Sequence, residues 1–173
     1  IRQTIRGNVQ VWEYRQTHAQ MYGLDLDASL SLSDNMRFVH QFSLVKGYDK
    51  TSNEPLISMP PASTLNSLVY TNPGFNNLSI SVQSNYVFRQ NEFPNTNFEV
   101  VLPESIEYID ISTPPDAYHL LHLNITAAIR SDMQVGLYVN NLLNTSYRNY
   151  LNRLRYYADD LGRNITLQLK YNY

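Results

Sequence analysis

The chain has 173 residues, 43% of them apolar, with a formal net charge of -2 and scattered rather than clustered basic residues. That balance argues against nucleic-acid binding. Zero cysteines rule out a disulfide framework, a CxxC redox pair and a thiolate zinc site, and no run approaches the ~18 continuous apolar residues of a membrane helix. A spanning β-strand shows lipid only every second residue, so the period of the apolar residues has to decide between a membrane wall and a water-soluble domain.

In chain order, a weak strand is expected over roughly 4 to 13, around Val9 and Val11. A strong one follows: Tyr22, Leu24, Leu26, Ala28, Leu30 and Leu32 alternate with Gly23, Asp25, Asp27, Ser29 and Ser31. Weaker strands are expected over roughly 35 to 46, around Phe38 and Phe42, and 63 to 72, around Leu65 and Val69. The row Leu78, Ile80, Val82, Tyr86, Phe88 is interrupted by Ser84, and Leu121, Leu123, Ile125, Ala127, Ile129 form a further row. Met133, Val135, Leu137 and Val139 repeat the pattern, and Ile165, Leu167, Leu169, Tyr171 and Tyr173 end the chain. The spacing is two throughout, and Tyr, Val, Ile and Thr favour strands, so the prediction is all-β with eight strands and at most one short helix within 147 to 158.

The connections alternate in length. Ser33-Asp34-Asn35, Asn72 to Asn76 and Ser131-Asp132 read as tight turns, whereas 47 to 62, 90 to 117 and 145 to 161 are long. In an up-and-down sheet every second connection lies at the same end. Tight turns at one end and long loops at the other are the habit of outer-membrane barrels, and strands of about eleven residues tilted ~45° cover their ~25 Å apolar band. Fourteen tyrosines suit the aromatic girdles of such a wall.

Little points to catalysis: there is no GxSxG elbow, HExxH pair or phosphate-cradling glycine loop. His119 and His122 lie three apart, which on a strand puts them on opposite faces and argues against a shared metal. Asp25 with Asp27, and Asp159 with Asp160, read as solvated lumen and loop acids rather than an acid-base pair. Between Tyr147 and Asp160, however, Arg148, Arg153 and Arg155 stand among Tyr150, Tyr156 and Tyr157, a set of cationic forks and aromatic faces suited to an anionic chelate. The plainer alternative is that they pack the rim or meet lipopolysaccharide phosphates.

The stretch Val139-Asn140-Asn141-Leu142-Leu143-Asn144, then Tyr147 to Tyr157, then Gly162-Arg163-Asn164 and a final alternating strand, closely resembles the end of TonB-dependent receptors. Leu143 stands where Phe is commoner in that family. Thr17 to Leu26 is similar to the family's hairpin start, and Met59-Pro60-Pro61 to its prolines before a strand. The resemblance implies that residues 1 to 173 are the C-terminal portion of one antiparallel up-and-down transmembrane β-barrel, about the last eight of roughly 22 strands. The plug domain, through which TonB would act, and the earlier strands would lie outside this sequence.

It further implies a bacterial outer-membrane importer of a scarce solute, an iron or other metal chelate first and a carbohydrate or peptide second. Lipid and lipopolysaccharide would surround it. Leu167, Leu169, Tyr171 and Tyr173 would form the terminal signal read by the barrel-assembly machinery, because an unpaired strand edge can be held by backbone hydrogen bonds. Two alternatives stay open: a complete eight-stranded outer-membrane barrel with a structural or adhesive role, and a soluble lipocalin-like binder with the apolar face turned inward.

Overall fold

The alternation seen in the sequence becomes one antiparallel sheet. The computed structural model describes residues 2–6, 9–13, 16–94 and 114–172. Two short strands, β1 (Arg2–Arg6) and β2 (Val9–Glu13), pair as a hairpin in register Arg6 to Val9. The segment 4 to 13 is therefore not one strand of the wall. The Gly7-Asn8 pair between the strands is a two-residue hairpin signal that the weak apolar pattern of this region hides.

The wall consists of β3 (Ala19–Ser33), β4 (Met36–Asp49), β6 (Ser63–Asn72), β7 (Leu78–Val87), β8 (Tyr118–Arg130), β9 (Met133–Asn140) and β10 (Asn164–Tyr171), with a two-residue strand β5 (Glu54–Pro55) pairing to β4. Their order is β10-β9-β8-β7-β6-β4-β3, so every long strand pairs antiparallel with its chain neighbour. The eight-stranded all-β up-and-down architecture expected from the sequence is thus present, its eighth member being β5 rather than the N-terminal segment. β3 pairs only with β4 and β10 only with β9, so among the described residues the sheet does not close on itself.

Turn chemistry fits the connections. The β3 to β4 and β8 to β9 turns each have two residues between the strands, and a register shift lies beside each, at Ser31/Ser33 and Ala128/Arg130. The β6 to β7 turn places Asn76 and Asn77 at φ 53° and 47°, the left-handed region that Asn enters more readily than most residues. The opposite end carries the long connections. One 3-10 turn, Arg153–Tyr156, is present there. No helix among the described residues is long and apolar enough to cross a membrane.

Register sorts the side chains into rows. One row runs Leu30, Phe38, Leu68, Val82, Leu123, Val139, Ile165, an apolar residue from each long strand. The next row, one residue along and so on the other face, runs Ser31, Arg37, Val69, Ser81, Asn124, Tyr138, Thr166. Leu65 and Val69 therefore sit on the polar face of β6: Leu65 lies opposite Gln41 and Asn85, and the apolar face of that strand is carried by Leu68 and Tyr70.

Much of the apolar face is left open. Even in the middle of the sheet, with strands on both sides, Leu68 keeps 41% and Val82 38% of its surface exposed. Buried hydrophobic side chains among the described residues are only Met59, Leu120, Val139 and Tyr150. A closed core of the lipocalin kind is absent among the described residues, where Leu167 and Leu169 are exposed by 75% and 65%.

Candidate functional site

The loop from Asn141 to Arg163 joins β9 to β10 at the long-loop end and contains every candidate ligand contact. Its first turn is set by Asn141, at φ 51° and 2% exposed. The Asn141 Nδ2 donates to the carbonyls of Thr145 at 2.8 Å and Leu161 at 3.4 Å, while Oδ1 accepts from the Thr145 N–H at 2.8 Å. One buried amide thereby ties the beginning of the loop to its end. Asn144, at φ 56°, does likewise: its Oδ1 accepts from the Arg163 N–H at 2.9 Å. A Cβ at Gly162 would come within 2.9 Å of that same oxygen, so the Gly-Arg pair and the Asn-rich segment form one clasp.

Two aspartates organise the middle. Asp160 accepts from the Asn149 N–H at 2.6 Å and from Asn152 Nδ2 at 2.8 Å, and its own N–H donates to the Tyr147 carbonyl at 2.8 Å. Asn152 in turn caps the 3-10 turn, accepting from the Leu154 N–H. Asp159 accepts from Ser146 Oγ and, at 2.6 Å, from Arg148 Nε. Those two donors hold the Asp159 carboxyl below the usual carboxylate range. Burial and the nearby Asp160 charge push the Tyr147 hydroxyl up.

The candidate contacts separate accordingly. Arg148 is engaged by Asp159, and Arg155 lies over the Tyr150 ring at 4.8 Å and donates to the Tyr150 carbonyl. Tyr150 is buried, 7% exposed. Arg153 and Tyr157 face solvent, Tyr157 being 72% exposed. The loop thus brings Tyr150 and Arg155 together, holds Arg148 elsewhere and leaves Arg153 and Tyr157 on its surface. The side chain of Tyr156, and all of Tyr173, lie outside the described residues. Leu167, Leu169 and Tyr171 are exposed on β10, at the free edge of the sheet.

The histidines occur on opposite faces. His119 Nε2 is 2.8 Å from Ser84 Oγ on the apolar face, while His122 Nδ1 is 3.1 Å from Asn140 Oδ1 on the polar face. No group of three or more His, Cys, Asp or Glu side chains that could hold a metal is found among the described residues. Asp25 and Asp27 share the polar face of β3, accepting from Ser43 Oγ and Gln41 Nε2, each at 2.6 Å.

A second structured region caps the loop end of β4. Glu92 accepts from Lys46 Nζ and Tyr48 OH, and these donors hold its carboxyl below the usual range, Lys46 contributing most. Gln90 Nε2 donates to the Met59 carbonyl at 2.8 Å. Gly47 lies beneath: a Cβ there would meet Leu56 at 2.8 Å and the Met59 sulfur at 3.1 Å. The clasp and this cap escaped the sequence reading, although the Asn-rich segment and the paired prolines were visible; what they bond to depends on closure across up to 20 residues in the clasp and up to 46 in the cap.

No family model and no curated protein matches the chain. Among solved structures it is similar to the copper transporter OprC, with TM-score 0.75 and 16% identity over 91% of this chain. It is also similar to the ferric yersiniabactin uptake receptor FyuA from Yersinia pestis, with TM-score 0.63 and 14% identity over 90% of this chain. Both are TonB-dependent receptors, and the chain spans 24% of the length of each. The fold of this chain is that of a stretch of the barrel wall of TonB-dependent receptors.

Proposed function

We propose that the chain is the C-terminal portion of the barrel of a TonB-dependent importer in a bacterial outer membrane. The observation that carries this is the seven-residue apolar row, continuous from β3 to β10, with Leu68 and Val82 exposed on interior strands, backed by a polar row on the opposite face. In water such a surface costs roughly 25 cal/mol for each Å² left exposed. In hydrocarbon it costs nothing, and the polar row then lines a lumen. The open edges of β3 and β10 favour a segment of a larger wall over a complete eight-stranded barrel, as does the one-quarter coverage of the similar structures.

Cargo is proposed from the neighbours, which carry copper and a ferric chelate by name: a metal or metal chelate, driven inward by TonB through a plug domain. Arg153 and Tyr157, exposed on the loop, are the proposed cargo contacts; Arg148, Tyr150 and Arg155 shape the loop that presents them. Leu167, Leu169, Tyr171 and Tyr173 are proposed as the strand the barrel-assembly machinery holds, with lipopolysaccharide meeting the rim.

The test is uptake of radiolabelled copper and of a panel of ferric chelates by cells with and without the full-length gene, each with and without a protonophore. Gene-dependent, protonophore-sensitive uptake of at least one probe is expected. Uptake that persists without the gene, or that ignores the protonophore, overturns the reading.

A further inference from the structure

The apolar face carries two hydrogen-bonded polar pairs, Ser84 with His119 toward the loop end and His40 with Asn66 nearer the middle of β4, and Ser84 lies beside Asn66 in register. On β4 this face reads Met36, Phe38, His40, Phe42, Leu44, which puts His40 at the centre of the run. Its row neighbours are Ala28 on β3 and Asn66 on β6. His40 Nδ1 lies 2.7 Å from Asn66 Oδ1. An amide oxygen only accepts, so Nδ1 carries the proton and the neutral ring presents Nε2 as a lone-pair acceptor. Among the described residues neither His40 Nε2 nor the Asn66 Nδ2 donors have another protein partner.

Resting on the reading that this face meets hydrocarbon, the pair is costly there. Acyl chains offer it no hydrogen bond, and headgroups lie at the edges of the band rather than its middle. What remains is a partner that carries polar groups at the same depth. The pair is self-complementary: it offers an acceptor and donors side by side. In a two-fold interface, residue i meets residue j and j meets i.

We propose that two copies of the full-length barrel associate within the membrane at this face. Asn66 Nδ2 of one protomer donates to His40 Nε2 of its partner, and the reciprocal bond forms across the axis. Ala28 and Ser84 are the small members of the row, on either side of the pair, and leave room for the approach that small residues give intramembrane contacts.

The experiment uses the full-length protein in outer-membrane vesicles. Ala28→Cys is cross-linked with a short bis-maleimide, beside Leu167→Cys as a control on the same face of distant β10. A covalent species of twice the barrel mass is expected from Ala28→Cys and not from the control. Adding His40→Leu or Asn66→Leu removes both reciprocal bonds and reduces it roughly thirtyfold, the factor that loss of two net hydrogen-bond contributions of ordinary size gives. Leucine is favourable in hydrocarbon, so these variants keep the barrel, which heat-modifiable gel mobility checks.

A barrel with normal mobility that gives no dimer, a dimer indifferent to His40→Leu, or an adduct only with a protein of another mass overturns the proposal and leaves the importer reading standing. Failure of the unsubstituted protein to show barrel mobility overturns both.

Discussion

The wall and the loop that crowns it solve opposite problems. In the wall the backbone is satisfied by strand pairing while the apolar face is left open, with Leu68 and Val82 still 41% and 38% exposed between neighbouring strands. In the Asn141 to Arg163 loop regular pairing is gone, and side chains take over the backbone's bonds: Asn141, Asn144, Asn149, Asn152 and Asp160 each receive a main-chain N–H. The wall therefore depends on its solvent, and the loop on itself. A substitution in the wall should be judged by which face it alters, one in the loop by how many backbone groups it orphans.

The largest effect should come from reversing the wall's polarity at one position. Val82→Arg puts a cation on the apolar face of an interior strand, which costs ~2–4 kcal/mol toward the middle of a bilayer. Gln83→Arg, one residue on, points to the polar face and should cost little. Reversible folding of the full-length barrel into lipid vesicles, followed by denaturant titration, separates the two. Equal destabilisation would mean that the two faces do not meet different solvents.

Comparable in size, but confined to the loop, is Asn141→Ala. It removes three hydrogen bonds from a 2% exposed side chain and leaves a Cβ-bearing residue without a local partner at φ 51°. With net values of ~1 kcal/mol per bond and ~1 kcal/mol for the left-handed backbone, a local loss of roughly 4 kcal/mol is expected. Asn141→Gly should recover the backbone part only. Amide exchange at Thr145, whose N–H loses its acceptor, should rise in both variants while strand β9 stays protected by its pairing with β8 and β10.

This contrast also explains what could be read from the chain alone. Period-two alternation needs only the residue itself and its neighbours two away, so β3, β8, β9 and β10 were legible, as were turns such as Ser131-Asp132. β6 was legible as a strand but not as a face, because Leu65, Leu68 and Val69 fall on both parities and only pairing with Phe38 and Gln41 sorts them. The hairpin of β1 and β2 was obscured for the same reason. In the loop the cationic and aromatic residues were visible, yet their division into Arg155 against Tyr150, Arg148 against Asp159, and Arg153 at the surface is decided by contacts across 5 and 11 residues.

That division gives the third prediction. Arg155→Ala removes a guanidinium stacked on Tyr150, a contact worth ~0.5–1 kcal/mol at a partly exposed site, together with its bond to the Tyr150 carbonyl. It should raise amide exchange across 150 to 157. Arg153→Ala should leave exchange unchanged and weaken only cargo affinity, measured on the full-length receptor with whichever chelate the uptake assay identifies. Unchanged affinity in Arg153→Ala with loss in Arg155→Ala would mean that loop shape, rather than a direct cation, recognises the cargo.

The smallest effect is one of pH and tests whether the loop's charges act as a unit. The Asp159 carboxyl is held below the usual carboxylate range by Ser146 Oγ first and Arg148 second. A group whose folded value is depressed contributes its stabilisation above the unfolded value and loses it as pH falls through the folded one. The Ser146 and Arg148 tether should therefore be fully present at neutral pH, persist through the ordinary carboxylate range and release only below it. The Arg148 NεH resonance of the detergent-solubilised receptor reports this directly, because its shift follows the bond to Asp159 Oδ1. Asp159→Asn should abolish the acid-dependent change while Asn152 and Asn149 keep the separate hold on Asp160. A resonance that moves already within the ordinary carboxylate range would show that the tether does not depress the carboxyl, and that this part of the loop is held by its neutral amides alone.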